Sequence, residues 1–302
     1  MRANNLTLLT DLYELTMMQG YFKNPTNQTV IFDMFYRTNP CGGAFAITAG
    51  LEQMIEYIEN LKFTDEDIKY LRSLNIFEED FLEYLSNFRF TGDIYAIPEG
   101  TVVFPREPLV KVVAPIMEAQ LVETAILNII NHQSLIATKA ARVCYAAKGD
   151  AIMEFGLRRA QGPDAGIFGA RAAIIGGCAG TSCVLTGKMF DVPVLGTHAH
   201  SWIMSFPDEY TAFKTYAKLY PNACTLLVDT YDVLKIRCSK MQFVYLRKCA
   251  KKVFRLPNTV SVSTVVILPT FPKKHIRCLL LPDLTMQLFP LPAIWTNISL
   301  RA

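Results

Sequence analysis

The chain has 302 residues, of which 51% are apolar, 11% aromatic and 19% charged, with a mean hydropathy of +0.22. That excludes a disordered chain, a coiled coil and a collagen-like repeat, and the length allows two domains with substantial cores. The net charge of +3 conceals a division, because residues 1–235 carry 19 Lys and Arg against 26 Asp and Glu, whereas residues 236–302 carry 11 against 1. All 16 glycines precede Ile236 and six of the 16 prolines follow it, so the two stretches need separate accounts.

In chain order, a helix starts near Asp11, with Glu14 three residues on at capping-box spacing. Residues 30–36 alternate as a strand, and residues 38–43, with Pro40, Gly42 and Gly43, form a loop. Residues 51–61 and 64–88 read as amphipathic helices, and residues 93–113 as short strands punctuated by Pro98-Glu99-Gly100, Pro105 and Pro108. This opening part is α+β. Residues 116–143 then form one long apolar-periodic helix with Pro115 near its first turn. Residues 151–155 read as a strand and about 164–175 as a helix. A strand at 192–197, a helix at 207–219 and a strand at 224–228 follow. Strands alternating with helices predict parallel β/α architecture, with polar residues collecting past the carboxyl ends of the strands. The predicted domains are 1–114 (α+β), 115–235 (the first part of an α/β barrel) and 236–302 (an aberrant tail).

Four places carry candidate chemistry. Arg158-Arg159, before Gly162-Pro163-Asp164, sets two guanidiniums at a strand end ahead of a helix start, suited to phosphate or else to a surface ion-pair network. Residues 176–182, Gly-Gly-Cys-Ala-Gly-Thr-Ser, form a Gly-rich loop running into a helix with Lys188. The loop fits either a phosphate cradle or a tight turn, and lacks both the Walker and the dinucleotide patterns. Gly196-Thr197-His198-Ala199-His200-Ser201 places two of the four histidines just past a strand. They suit a general base, a covalent phosphate acceptor or a hydrogen-bonded structural role, and less well a metal, since no third ligand is near. Asp229, at the next strand end, suits Mg²⁺, a sugar hydroxyl or a turn cap. His132 reads as a packed histidine.

The first twenty residues, with Asp11 and Glu14, do not read as a signal peptide. Residues 278–300 contain Asp283 and three prolines and make a poor membrane span. Among the eight cysteines, Cys178 and Cys183 are the closest pair, and no second Cys/His pair nearby completes a zinc site. Reduced thiols and a cytoplasmic location are expected.

Together these segments resemble nicotinate phosphoribosyltransferase. The resemblance rests on Leu9-Thr10-Asp11-Leu12-Tyr13, Tyr36-Arg37 with Pro40 and Gly42-Gly43, Pro98-Glu99-Gly100 and Asn131-His132-Gln133 with Thr138-Lys139. It continues through Phe155-Gly156 with Arg158-Arg159, Gly177 with Gly180-Thr181-Ser182, and Gly196-Thr197 with Ala199-His200-Ser201. The series is ordered and runs from about residue 6 to Lys235. It implies an irregular α/β barrel of the type II phosphoribosyltransferase kind after an N-terminal α+β domain, assembled as a homodimer. It also implies formation of nicotinate mononucleotide and pyrophosphate from nicotinate and phosphoribosyl pyrophosphate, driven by ATP hydrolysis. By resemblance His200 is the histidine that ATP phosphorylates, and Tyr13 and Thr197 line the nicotinate pocket. Arg158, Arg159, Gly180 and Thr181 face the phosphates, Asp229 binds substrate, and Mg²⁺ sits on the pyrophosphate with no protein metal site. Cys183 stands where the family has Asn. No nucleic-acid or membrane partner is expected. The rivals are a nicotinamide or quinolinate phosphoribosyltransferase, and a non-catalytic fragment that binds phosphoribosyl pyrophosphate.

After Lys235 the family expects Ser-Gly-Val-Pro, and the chain gives Ile236-Arg237-Cys238-Ser239. Suitable codons for residues 260–270, read one nucleotide off, spell Ile-Arg-Leu-Asp-Ser-Gly-Asp-Ile-Ala-Tyr-Leu, the family's next barrel strand. Residues 236–302 are therefore expected to be an out-of-frame translation, which also explains their missing glycines and near-missing acids. On this reading the chain is an incomplete barrel with little or no activity. A basic tail for nucleic acid or membrane is the alternative, disfavoured because its charges are scattered among Leu, Pro and Val.

Overall fold

A computed structural model describes residues 5–24, 28–220, 223–227 and 230–231. The expectations for Asp229 and for residues 236–302 lie outside the described residues. The chain divides into two compact units, Met1–Ala146 with Ala151–Val194, and Ala147–Asp150 with Leu195–Ala302. The expected boundary at 114/115 falls inside the first unit, because the long helix packs on the N-terminal strands as well as on the helix that follows it.

The first unit runs α1 (Leu12–Lys23), β1 (Thr29–Met34), β2 (Ala46–Ile47), α2 (Leu51–Glu59), α3 (Asp65–Ser73) and α4 (Glu79–Ser86). It continues with β3 (Asp93–Ala96), β4 (Val102–Val103), β5 (Val110–Pro115), α5 (Ile116–Ala146), β6 (Met153–Glu154), α6 (Pro163–Ile175), β7 (Gly180–Thr181) and α7 (Val184–Phe190). Strands β1, β5 and β3 form an antiparallel sheet with β5 in the centre, in register Phe32 to Val112 and Ile94 to Val112. Its period of two is plain in β5, where Val110, Val112 and Ala114 are buried while the intervening residues are half-buried. Those buried residues join Met18, Met54, Phe81, Leu85, Leu121 and Val122 in the main core. The 31-residue α5 is legible from its apolar periodicity, and it contributes to that core along its first half.

The capping box expected at Asp11 and Glu14 does not form, although Asp11 is the N-cap of α1. Both carboxylates are taken by α5 instead, since the Thr124 hydroxyl lies 2.9 Å from both Asp11 Oδ2 and Glu14 Oε1. A capping box forms at α3, where Thr64 Oγ1 accepts from the Asp67 N–H and Asp67 accepts from the Thr64 N–H.

The parallel part is shorter than predicted. Strands β6 and β7 pair in parallel, and Thr181 makes one further parallel bridge to Val194. The strand expected at 192–197 thus reduces to that bridge, beside Pro193, which has no N–H to give and accepts from the Thr181 N–H through its carbonyl. Among the described residues 224–227 have no strand pairing, and no closed barrel is present. In the second unit, α8 (His200–Met204) was not anticipated, while α9 (Glu209–Leu219) matches its prediction and packs Ala212 and Phe213 on Ile203 and Leu226.

Candidate active site

In the first unit, β6 and β7 lie side by side and deliver two expected elements to the same end of the pair. Past β6, Arg158 and Arg159 sit in a 3-10 turn, Leu157–Arg159, exposed and without a carboxylate partner among the described residues. Past β7, the chain enters α7 with Lys188 exposed in its last turn. The two strands are tied by Glu154, whose Oε2 accepts from the Thr181 hydroxyl at 2.6 Å and whose backbone carbonyl accepts from the Ser182 N–H at 3.0 Å. Thr181 Oγ1 also accepts from the Cys183 N–H at 3.0 Å, so this fully buried hydroxyl is committed within the protein. Gly180 is buried in β7.

The structure assigns Gly176 and Gly177 to packing and turn geometry. Gly176 ends α6 against the backbone of α5, where a Cβ would lie 2.4 Å from the Ala137 carbonyl oxygen. Gly177 has φ +104°, a conformation open to glycine.

Tyr13 projects from α1 with 46% of its surface exposed, its hydroxyl 3.3 Å from Glu123 Oε1 and 3.5 Å from Glu14 Oε1. Partial burial, then the charges of Glu123 and Glu14, push its phenol up to about 12. Glu14 itself is fully buried and accepts from the Thr124 N–H and hydroxyl. Burial raises its carboxyl above the ordinary range despite the Thr10 and Thr124 hydrogen bonds. A carboxyl raised on folding contributes stability below its unfolded pKa and loses it as pH rises through the folded value. Glu14→Gln is therefore expected to raise the urea midpoint, relative to the parent chain, more at pH 7 than at pH 4. A difference that does not change with pH would show that Glu14 titrates normally.

Sequence reasoning missed the main charged network of this unit. Arg171, 9% exposed on α6, makes a two-armed pair with Glu99, both bonds 2.8 Å, and also contacts Glu52 and Gln133. Glu99 Oε1 in turn accepts from the Gly50 and Leu51 N–H groups at the start of α2. The available signals were the lone arginine among Gly, Ala and Ile in α6 and the glutamate of Pro98-Glu99-Gly100. A cleft of about 610 Å³ beside α5, lined by Asp11, Tyr36, Arg37, Asn128, Asn131 and Ser134 among others, was also unforeseen and holds none of the expected site residues.

In the second unit the two histidines separate in character. His198 is buried against Tyr216, with ring centroids 4.8 Å apart, and its Nε2 accepts from the Leu227 N–H at 3.2 Å. Its Nδ1 therefore carries the proton and faces the Ala199 carbonyl. Burial, opposed by that carbonyl and reinforced by the nearby His200, lowers its pKa and keeps it neutral. His200 starts α8 exposed, with Nδ1 3.2 Å from Thr230 Oγ1. The Thr197 hydroxyl donates to the His198 carbonyl at 2.9 Å. Asp229 is outside the described residues. His132 is half-buried with Nε2 3.3 Å from the Ala165 carbonyl, a packing role.

Among the described residues no group of three or more His, Cys, Asp or Glu is placed to hold a metal, and no helix is long and apolar enough to cross a membrane.

The crystal structure of human nicotinic acid phosphoribosyltransferase superposes with a TM-score of 0.71 at 32% identity, covering 81% of this chain and 59% of that one. The nicotinate-nucleotide pyrophosphorylase of Pyrococcus furiosus superposes at 0.66 with 24% identity, a likeness of fold alone, over 84% and 57% of the two chains. The fold is thus mixed α/β, of the type II phosphoribosyltransferase class. Residues 8–131 match the nicotinate phosphoribosyltransferase (NAPRTase) N-terminal domain. Nicotinate phosphoribosyltransferase pncB2 of Mycobacterium tuberculosis is 48% identical over 228 residues, covering 76% of this chain and 49% of that protein. The nicotinate phosphoribosyltransferase of Bacillus subtilis is 49% identical over 235 residues, covering 78% and 48%. Across these matched residues the chain is similar to the nicotinate phosphoribosyltransferases. It spans about half the length of the curated relatives it matches.

Proposed function

We propose that this chain carries the nicotinate phosphoribosyltransferase reaction of its family, joining nicotinate to phosphoribosyl pyrophosphate with release of pyrophosphate and consumption of ATP in the cytoplasm. The observation that carries the reading is the ordered series of family motifs over relatives almost half identical to it. The arrangement of the residues supports it chemically. Displacement at the ribose anomeric carbon builds negative charge on the leaving pyrophosphate. Arg158 and Arg159, exposed on their turn and unpaired among the described residues, suit that charge. His200, the exposed member of the histidine pair, is the phosphate acceptor, and neutral, buried His198 orders the loop that leads to it. By the resemblance, Tyr13 and Thr197 are residues that recognise nicotinate, Gly180 and Thr181 face the phosphates, and Asp229 binds substrate. Mg²⁺ would accompany the substrate pyrophosphate and offset its charge. The assembly is a homodimer.

Residues 236–302 are proposed to be an out-of-frame reading. Support comes from their composition and from matches that take in 76–78% of this chain in the two relatives named above. The experiment supplies the purified chain with γ-labelled ATP, then with phosphoribosyl pyrophosphate and nicotinate, nicotinamide or quinolinate in turn. Label on His200, lost in His200→Gln, and phosphoribosyl pyrophosphate binding, lost in Arg158→Ala, are expected. Turnover is expected to be slow or absent until the coding frame after codon 235 is restored, and then specific for nicotinate. Preference for another pyridine, or neither label nor binding in the restored chain, overturns the reading.

A further inference from the structure

Cys144 on the last turn of α5 and Cys178 in the glycine loop are 34 positions apart in sequence and pack in the same small apolar cluster with Ala140 and Ala173. The approach is built by the glycine between α6 and the loop. Gly177, at φ +104°, passes so close to α5 that a Cβ there would meet the Cys144 Cβ at 3.5 Å and Sγ at 3.6 Å. Cys178 is held at this point by its own N–H to the Ala173 carbonyl, 3.0 Å, and by the Ala179 N–H to the Ile152 carbonyl, 2.7 Å. Cys178 is buried, whereas Cys144 is half-buried. Cys183 sits apart, packed with Ile167 and Ala170.

We propose that Cys144 and Cys178 are a reversible redox pair, closed to an intrachain disulfide by a small-molecule disulfide such as glutathione disulfide. The Cys144 thiol gives up its proton and its sulfur attacks one sulfur of the oxidant, releasing one glutathione thiol and leaving a mixed disulfide on Cys144. Cys178 then loses its proton and attacks the Cys144 sulfur, which expels the second glutathione thiol. Two protein thiols are oxidised and one disulfide is reduced to two thiols. Burial pushes the Cys178 thiol up to about 12 and raises that of Cys144, so entry is slow and falls to the less buried Cys144. The bond would clamp the loop after α6 onto α5. Resting on the function proposed above, that loop leads to the residues facing the phosphates, so oxidation would alter phosphoribosyl pyrophosphate binding.

The test reads the bond itself and needs no turnover, so it stands apart from the fate of the enzyme reading. The full chain is incubated with glutathione disulfide, its remaining thiols alkylated, and the digest mapped with and without dithiothreitol. The expected result is one dithiothreitol-sensitive peptide pair joining Cys144 to Cys178, absent in Cys144→Ser and in Cys178→Ser. Alkylation of both cysteines after prolonged oxidation, or arrest at a mixed disulfide on Cys144, overturns the proposal. Should a serine variant fail to fold, the map of the parent chain decides the matter alone.

Discussion

Arg171→Met is expected to cost the first unit about 3 kcal/mol, the scale for removing one partner of a buried ion pair, and to lower the urea midpoint by about 1 M. Methionine keeps the apolar stem of the arginine but leaves Glu99 with a charge and no cation. That carboxylate is 20% exposed and still has to accept from the Gly50 and Leu51 N–H groups at the start of α2. The second carboxylate is a different case. Glu52 meets the same guanidinium, yet its side chain is 60% exposed, where water screens the pair. Glu52→Gln is therefore expected to stay within about 0.5 kcal/mol of the parent chain. Equal losses at Glu52 and Glu99 would refute the assignment of the stabilisation to the Glu99 arm.

Acid titration tests the Glu99 arm further. Burial by itself would raise Glu99, but hydrogen bonds from Arg171 and the Gly50 N–H outweigh it and hold the carboxyl below its usual range. A group whose pKa is depressed by folding contributes stability above its unfolded value and loses it as pH falls through the folded value. Glu99→Gln should thus flatten the acid limb of the stability curve below about pH 4, the ordinary carboxylate range. Glu14, raised rather than depressed, acts in the opposite sense.

Long elements were legible in the sequence and short ones were not, for a physical reason. Helix α5 repeats its apolar period over 31 residues, and β5 alternates over six, so each pattern is sampled several times. Strand β7 is Gly180-Thr181, two residues with no run to read, and it exists because Glu154 and Pro193 supply partners from either side. Helix α8 is five residues long and equally invisible. At the candidate site, Arg158-Arg159 and the histidine loop could be read because adjacent residues carry the signal. The difference in burial between His198 and His200 could not, since it depends on Tyr216 and Leu227, distant in sequence. The same holds for Arg171, whose partner Glu99 lies 72 positions away.

In the glycine loop the packing adds a requirement that a local reading cannot supply, and Gly176→Ala tests it. It is expected to destabilise by about 2–3 kcal/mol, the upper range for overpacking. The backbone at Gly176 is ordinary, with φ −72° and ψ −1°, so any residue could adopt it and only space forbids a side chain. A Cβ would stand 2.4 Å from the Ala137 carbonyl oxygen, 2.7 Å from the Ala140 Cβ and 3.1 Å from the Ala141 nitrogen. Two of those three atoms are helix backbone and cannot turn aside, so α6 has to move off α5 along a seam that Ala137, Ala172 and Ala173 make close. Gly169 on the same helix gives the opposite expectation. Its Cβ would find His132 Nε2 at 3.7 Å and Ile136 Cγ1 at 4.0 Å, ordinary contacts. Gly169→Ala should then gain about 0.5–1 kcal/mol from helix propensity. Urea midpoints of opposite sign for the two variants would place the requirement for glycine in the α5–α6 approach. Equal and small effects would return Gly176 to the role of a turn residue or a phosphate cradle.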